Sequence, residues 1–233
     1  MPGALIIDSD GGWDDAFATA LLAGDTDGSI PDLRLITSVG GINDQKGGAD
    51  LLGAVSRFVA AGAGAGADAD SAVEVVVVVG GGKLAAEAGK RHLDASDWGV
   101  TYREDCRQLL SHFDGRGHGS TAAATAATTA ADVDTGGKDG VEEGGGSADD
   151  AACAILRAVE ESRAAGTTPV TLLALGPLTN IAALVRRAPP AALASIHLVV
   201  MGGAVRVDGN AEGNAEFNFR LDIGAAQGVM HCR

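Results

Sequence analysis

The stretch Ala4-Leu5-Ile6-Ile7-Asp8-Ser9-Asp10-Gly11-Gly12-Trp13-Asp14-Asp15-Ala16 decides how the chain is read. Its first four residues are an apolar run of the kind that forms a buried strand, and the run ends on Asp8. From Asp14 to Ala23 the spacing turns helical, with Phe17, Leu21 and Leu22 on one face. Between strand and helix, Asp8, Asp10, Asp14 and Asp15 fall within eight residues. A carboxylate at a helix start can be a cap, and others can be solvated. Capping accounts for one aspartate or two, not for four beside a buried strand. Crowded carboxylates raise one another's pKa unless a positive charge neutralises them. A hard divalent cation does this, and Ca²⁺ accepts six to eight oxygens in irregular geometry.

Working outward, the same alternation recurs. Leu33–Val39 reads as a strand and Asp50–Ala60 as the helix behind it. Val73–Val79 reads as a strand stopped by the turn Gly80–Gly82. Later come a helix over Ala148–Ala164, with Ile155, Leu156 and Val159 inward, and a strand over Pro169–Leu175. A helix over Leu178–Arg187 follows Gly176-Pro177, and a strand over Ile196–Met201 is halted by Gly202-Gly203. Strands alternating with helices predict an α/β fold with an open, mostly parallel, doubly wound, Rossmann-like sheet. Ligands of such sheets bind at the carboxyl ends of the strands, where the acidic cluster lies.

Two stretches break the rhythm. Residues 61–72 are an Ala/Gly/Asp repeat, and residues 120–146 are rich in Ala, Thr and Gly without a usable period. Both are expected to be low-complexity insertions in a single domain over 1–233; an interdomain linker is the competing reading of the second.

Composition bounds the partners. The 233 residues are 46% hydrophobic but only 3% aromatic, so the core is built from Val, Leu, Ile and Ala. A net charge of −14 disfavours nucleic-acid polymers and anionic membranes and favours a cation or a neutral small molecule. No apolar run is long enough to span a bilayer. Three scattered cysteines, Cys106, Cys153 and Cys232, without a CxxC pair and without a leader-like N-terminus, suggest a cytoplasmic setting.

A phosphatase of the haloacid dehalogenase type also places DxD after its first strand, but Asp14-Asp15 is surplus to that chemistry. Gly80–Gly82 with Lys83 lacks the GK[ST] ending of a phosphate loop.

The string Asp8 to Ala16 resembles the DxDxxxDDA segment of the inosine–uridine-preferring nucleoside hydrolases. Leu175-Gly176-Pro177-Leu178-Thr179-Asn180-Ile181-Ala182 is similar to that family's GPLTNxA segment. Met201-Gly202-Gly203, Gly209-Asn210, Ala215-Glu216-Phe217-Asn218 and Asp222 follow the order of its MGG, GN and AEFN blocks. The match of His112 and His118 to an HGxxGL loop is loose.

This resemblance implies hydrolysis of the N-glycosidic bond of ribonucleosides to ribose and free base, with Ca²⁺ as cofactor and purine or pyrimidine salvage as the setting. Asp10 would be a metal ligand and the base that activates water. Asp15 and the main-chain carbonyl of Leu175 would complete the metal set present here. Asp14 would hold the ribose 2′-hydroxyl, Asn210, Glu216 and Asn218 the other side of the sugar, and Asp8 would support the cluster from behind. Strict alignment puts Ile42 where the family has a sugar-contacting asparagine; Asn43, one residue later, reaches the sugar only if the loop bulges. Members of the family continue past the AEFN block and supply a later aspartate, often preceded by a histidine. The chain stops at Arg233, so the expectation is a C-terminally truncated member, catalytically reduced or a gene model cut short. The alternative function is a nucleoside- or ribose-binding relative without turnover. A homo-oligomer is also implied.

Overall fold

A computed structural model describes residues 3–25, 28–63, 75–82 and 146–232. The helical segments there are α1 (Trp13–Ala23), α2 (Gln45–Ala63), α3 (Ala148–Ala164), α4 (Thr179–Arg187), α5 (Pro190–Leu193), α6 (Phe217–Leu221) and α7 (Ile223–Met230). The strands are β1 (Ala4–Ser9), β2 (Asp32–Gly40), β3 (Val76–Gly82), β4 (Val170–Ala174) and β5 (Ile196–Val200). All pairings are parallel, in the order β3-β2-β1-β4-β5. The expected α/β doubly wound sheet is therefore present. Chain order runs outward from β1 to β3 on one side and from β4 to β5 on the other. The switch in direction falls between β1 and β4, where a crevice opens at the strands' carboxyl ends.

Alternation along β1 feeds two cores. Ala4 and Ile6 join Leu172, Ile155, Val159 and Ile181 on the face covered by α3 and α4. Leu5 and Ile7 join Leu33, Ile36 and Leu52 on the face covered by α2. In β2 the alternation breaks, because Leu33 and Ile36 share a face although three residues apart. The β1–β2 register shifts at this point, pairing Leu5 with Leu33 and Ile6 with Leu35. Arg34 is the extra residue, exposed and paired with Asp32. A one-residue bulge moves all later side chains to the opposite face and keeps both layers apolar.

Three local expectations are corrected. The buried residues of α1 are Asp15, Ala16 and Thr19, whereas Phe17 and Leu21 are 63% and 74% exposed and, of the three expected, Leu22 alone packs against the core. A helix can present only one stripe, and here that stripe carries Asp15 toward the end of β1. Helix α2 begins at Gln45 rather than Asp50, because the Asp44 carboxylate accepts the Gly47 N–H at 2.7 Å and caps it. Gly80–Gly82 does not end β3 but forms its last three residues. A Cβ at Gly80 would collide with the Ser38 carbonyl and the Asn180 amide, and one at Gly81 with Ala148. These glycines mark close approach of other elements, not a turn.

Of the expected insertion at 61–72, residues 61–63 are the last turn of α2. The remainder, and that at 120–146 except Gly146, lie outside the described residues, as do Lys83, Cys106, His112 and His118.

Candidate active site

Asp10 is the first residue after β1, directly at the switch between β1 and β4. It sits in a cradle of glycines. A Cβ on Gly41 would run into the Asp10 carboxylate, and one on Gly176 would lie 2.9 Å from the Asp10 amide nitrogen. Gly11 holds φ at +70°, and a Cβ there would strike Gly48, so the turn from strand to helix closes against α2. The backbone N–H of Ile42 donates to Asp10 Oδ2 at 2.9 Å. In the same loop the Asn43 amide turns inward and donates to the Gly11 carbonyl at 3.2 Å.

Asp15 comes from the first turn of α1 and faces Asp10. The two are 8% and 6% exposed. The Ser9 hydroxyl donates to Asp15 Oδ2 at 2.5 Å, while its oxygen accepts the Gly11 N–H at 3.0 Å. Burial lifts the Asp10 carboxyl to about 6, opposed by the Ile42 N–H, while the neighbouring charge of Asp14 raises it further. Burial likewise holds Asp15 well above the ordinary carboxylate range, reinforced by the charge of Asp10. Among the described residues no basic side chain acts on either carboxyl. Two like charges in a low-dielectric corner without a counter-charge must share protons or take up a cation.

Asp8 lies one strand repeat below Asp10 and is fully buried. Its Oδ1 accepts from the Thr37 hydroxyl at 2.5 Å and from the Asn180 amide at 2.8 Å, while Oδ2 has no partner. Burial raises its pKa to about 6. Asp14 is exposed on α1. The four aspartates thus divide into a facing pair, Asp10 and Asp15, one carboxylate tied behind and one at the surface. Among the described residues no three His, Cys, Asp or Glu side chains group to hold a metal ion. The donors that do meet, two carboxylates beside the backbone that follows β4, are all oxygen, the kind a hard cation takes.

Leu175 follows β4, its N–H bonded to the Asp8 carbonyl at 2.8 Å. Its own carbonyl accepts the Asn218 amide at 2.8 Å, and that amide lies 3.3 Å from the Met201 carbonyl, so Asn218 joins the ends of β4 and β5. Glu216 caps α6: Oε1 accepts the Asn218 N–H, and Oε2 accepts those of Gly203 and Phe219. Exposed Asn210 accepts the Phe217 N–H at 2.8 Å. The residues expected to hold a sugar therefore also shape the loop that presents them. Asp222 caps α7 through Ala225 and accepts the Thr179 hydroxyl at 2.7 Å. A cavity of about 420 Å³ is lined by Gly40, Gly82, Pro177, Thr179, Leu221 and Asp222.

Sequence reading did not single out Asn180, Thr37 or the Ile42 N–H. Asn180 was signalled: it is a polar residue in the first turn of a helix whose neighbours Ile181 to Leu184 are all buried.

Comparison with known proteins completes the picture. The non-specific ribonucleoside hydrolase RihC of Klebsiella pneumoniae is 41% identical over 76 residues, 33% of this chain and 25% of that protein. Its Escherichia coli counterpart is 43% identical over 75 residues, 32% and 24% respectively. Among solved structures, the inosine-uridine preferring nucleoside hydrolase of Bacillus anthracis superposes with a TM-score of 0.62 at 19% identity, covering all of this chain and 63% of that one. The purine-preferring ribonucleoside hydrolase of Gardnerella vaginalis gives 0.54 at 21% identity, covering 97% and 57%. These likenesses carry the fold, and the chain spans roughly three-fifths of the solved relatives' length. The family profile described as inosine-uridine preferring nucleoside hydrolase matches residues 5–233, which sets aside the phosphatase alternative. The chain belongs to the inosine-uridine preferring nucleoside hydrolase family.

Proposed function

We propose that the protein hydrolyses the N-glycosidic bond of ribonucleosides to ribose and free base, with Asp10 as the base that activates water and Ca²⁺ as cofactor. The observation that carries this reading is the buried Asp10–Asp15 pair at the sheet's switch point, on which no basic side chain acts among the described residues.

Asp10, Asp15 and the Leu175 carbonyl would hold the cation. When bound, calcium supplies the charge that keeps both carboxylates ionised and lowers the pKa of the attacking water. Asp10 would take a proton from the attacking water, with the Ile42 N–H holding its carboxylate in place through Oδ2. Departure of the base leaves positive charge on the ribose ring, as in an oxocarbenium ion. The carboxylates are preorganised to stabilise that charge, since the glycine cradle and α1 already fix them. Asp14 would receive the 2′-hydroxyl. Asn210, Glu216 and Asn218 would bound the sugar on the opposite side, and Asn43 would brace the Asp10 loop. Asp8 supports the strand end. The substrate is a free ribonucleoside, in a cytoplasmic salvage setting, with the protein acting as a homo-oligomer.

A base-release assay on inosine and uridine tests this. The reading expects calcium-dependent turnover that falls by on the order of 10²–10⁴-fold in Asp10→Asn. Turnover undiminished in that variant refutes it. The second reading, nucleoside or ribose binding without turnover, is favoured by the lack of any group of three metal-ligating side chains among the described residues. It expects calorimetric binding of inosine with no base released.

A further inference from the structure

We infer that Asn180 is a positioning residue for Asp10, acting through a clamp that ties the carboxyl ends of three strands together. This inference rests on the proposed hydrolase reading for its kinetic consequence, but not for its structural one.

Asn180 stands in the first turn of α4 with no exposed surface. Its Nδ2 donates to Asp8 Oδ1 in β1 at 2.8 Å and to the Ser38 carbonyl in β2 at 2.9 Å. Its Oδ1 accepts the Gly81 N–H of β3 at 2.9 Å. The Gly81 bond fixes which way the amide faces, because an N–H can be answered only by the oxygen. One side chain thus satisfies groups on three adjacent strands, and the space for it exists because residue 80 has no side chain.

The clamp fixes the relative position of Asp8 and Ser38, which are near neighbours across the β1–β2 ladder. Two residues beyond Asp8 lies Asp10. Four beyond Ser38 lies Ile42, whose N–H orients the Asp10 carboxylate. Without the amide, buried Asp8 would lose one of its two donors, and the Gly81 N–H and Ser38 carbonyl would lose a partner. The strand ends would then separate to admit water, and the bond between Ile42 and Asp10 is the first feature beyond that break. General core packing has no such directed effect.

The test compares Asn180→Ala with Leu184→Ala, one turn further along the same helix face and in the same core but remote from the strand ends. Both variants lose melting temperature. Amide hydrogen exchange on the full chain, read at Ile42, is the measurement that needs neither metal nor substrate. Asn180→Ala is expected to speed exchange at Ile42 by tenfold or more relative to Leu184→Ala at matched stability. In the base-release assay it should lower kcat at least tenfold while KM moves less than threefold. Equal Ile42 exchange in the two stability-matched variants overturns the inference. So does an Asn180→Ala protein with wild-type kcat. If the wild-type protein releases no base, the hydrolase reading fails, and the exchange comparison alone still decides the role of Asn180.

Discussion

The facing of Asp10 and Asp15 is the residue-scale fact on which the chemistry turns. Burial is the largest influence on both carboxyls, only partly offset by the Ile42 N–H at Asp10 and by the Ser9 hydroxyl at Asp15. A consequence for pH follows with a definite sign. Asp8 and Asp10 have folded pKa values of about 6, above the ordinary 3.8. In the metal-free protein the folded state therefore binds more protons than the unfolded chain between those values, and Asp15 adds in the same direction. The stabilisation is full below pH 4 and is lost as pH rises through 6. Thermal unfolding in EDTA should give a higher melting temperature at pH 5 than at pH 7.5, a difference that shrinks in Asp10→Asn. A melting temperature that rises from pH 5 to 7.5 without metal would show that the pair is not buried as described.

At the scale of elements, the sequence made the strands and helices legible where apolar runs and periodicity were strong, as in α3, which begins and ends where its pattern does. It misled where a residue serves a neighbour rather than its own segment. In sequence, Phe17, Leu21 and Leu22 mark one face of α1 as inward, because large apolar residues ordinarily mark the core, yet Phe17 and Leu21 are exposed. The helix instead buries Asp15, Ala16 and Thr19. Glycine was the other source of error: Gly80–Gly82 reads as a terminator in isolation, but in β3 its small size admits Asn180 and α3. Gly80→Ala should accordingly destabilise the protein by about 1–3 kcal/mol through overpacking, measured by urea unfolding. A neutral effect would show that the amide of Asn180 does not occupy that space. In the candidate site, Asp10 and Asp15 could be named from spacing and resemblance. The division of four carboxylates into a pair, a support and a surface group could not, since it depends on how α1 docks on the sheet. Caps such as Glu216 on α6 were likewise hidden, because a capping carboxylate and a ligand-binding one have the same spelling.

For the whole molecule, the strand order is what converts an acidic string into a site. Because β4 inserts beside β1 and not beyond β3, Gly176, which follows Leu175, arrives next to Asp10 from a point more than 160 residues away in sequence. None of this order is visible in periodicity. Among the described residues no helix is long and apolar enough to cross a membrane. The net charge of −14 adds a general attraction for cations to the local one at the strand end. The account thus comes down to whether the Asp10–Asp15 pair takes up a divalent ion, and calorimetric titration of Ca²⁺ into the metal-free protein near pH 6 measures this directly. One ion should bind per chain with release of protons, since the pair is partly protonated there and ligation ionises it; Asp10→Asn should weaken binding at least tenfold. Absence of saturable binding, or binding of the same strength in Asp10→Asn, would contradict the account.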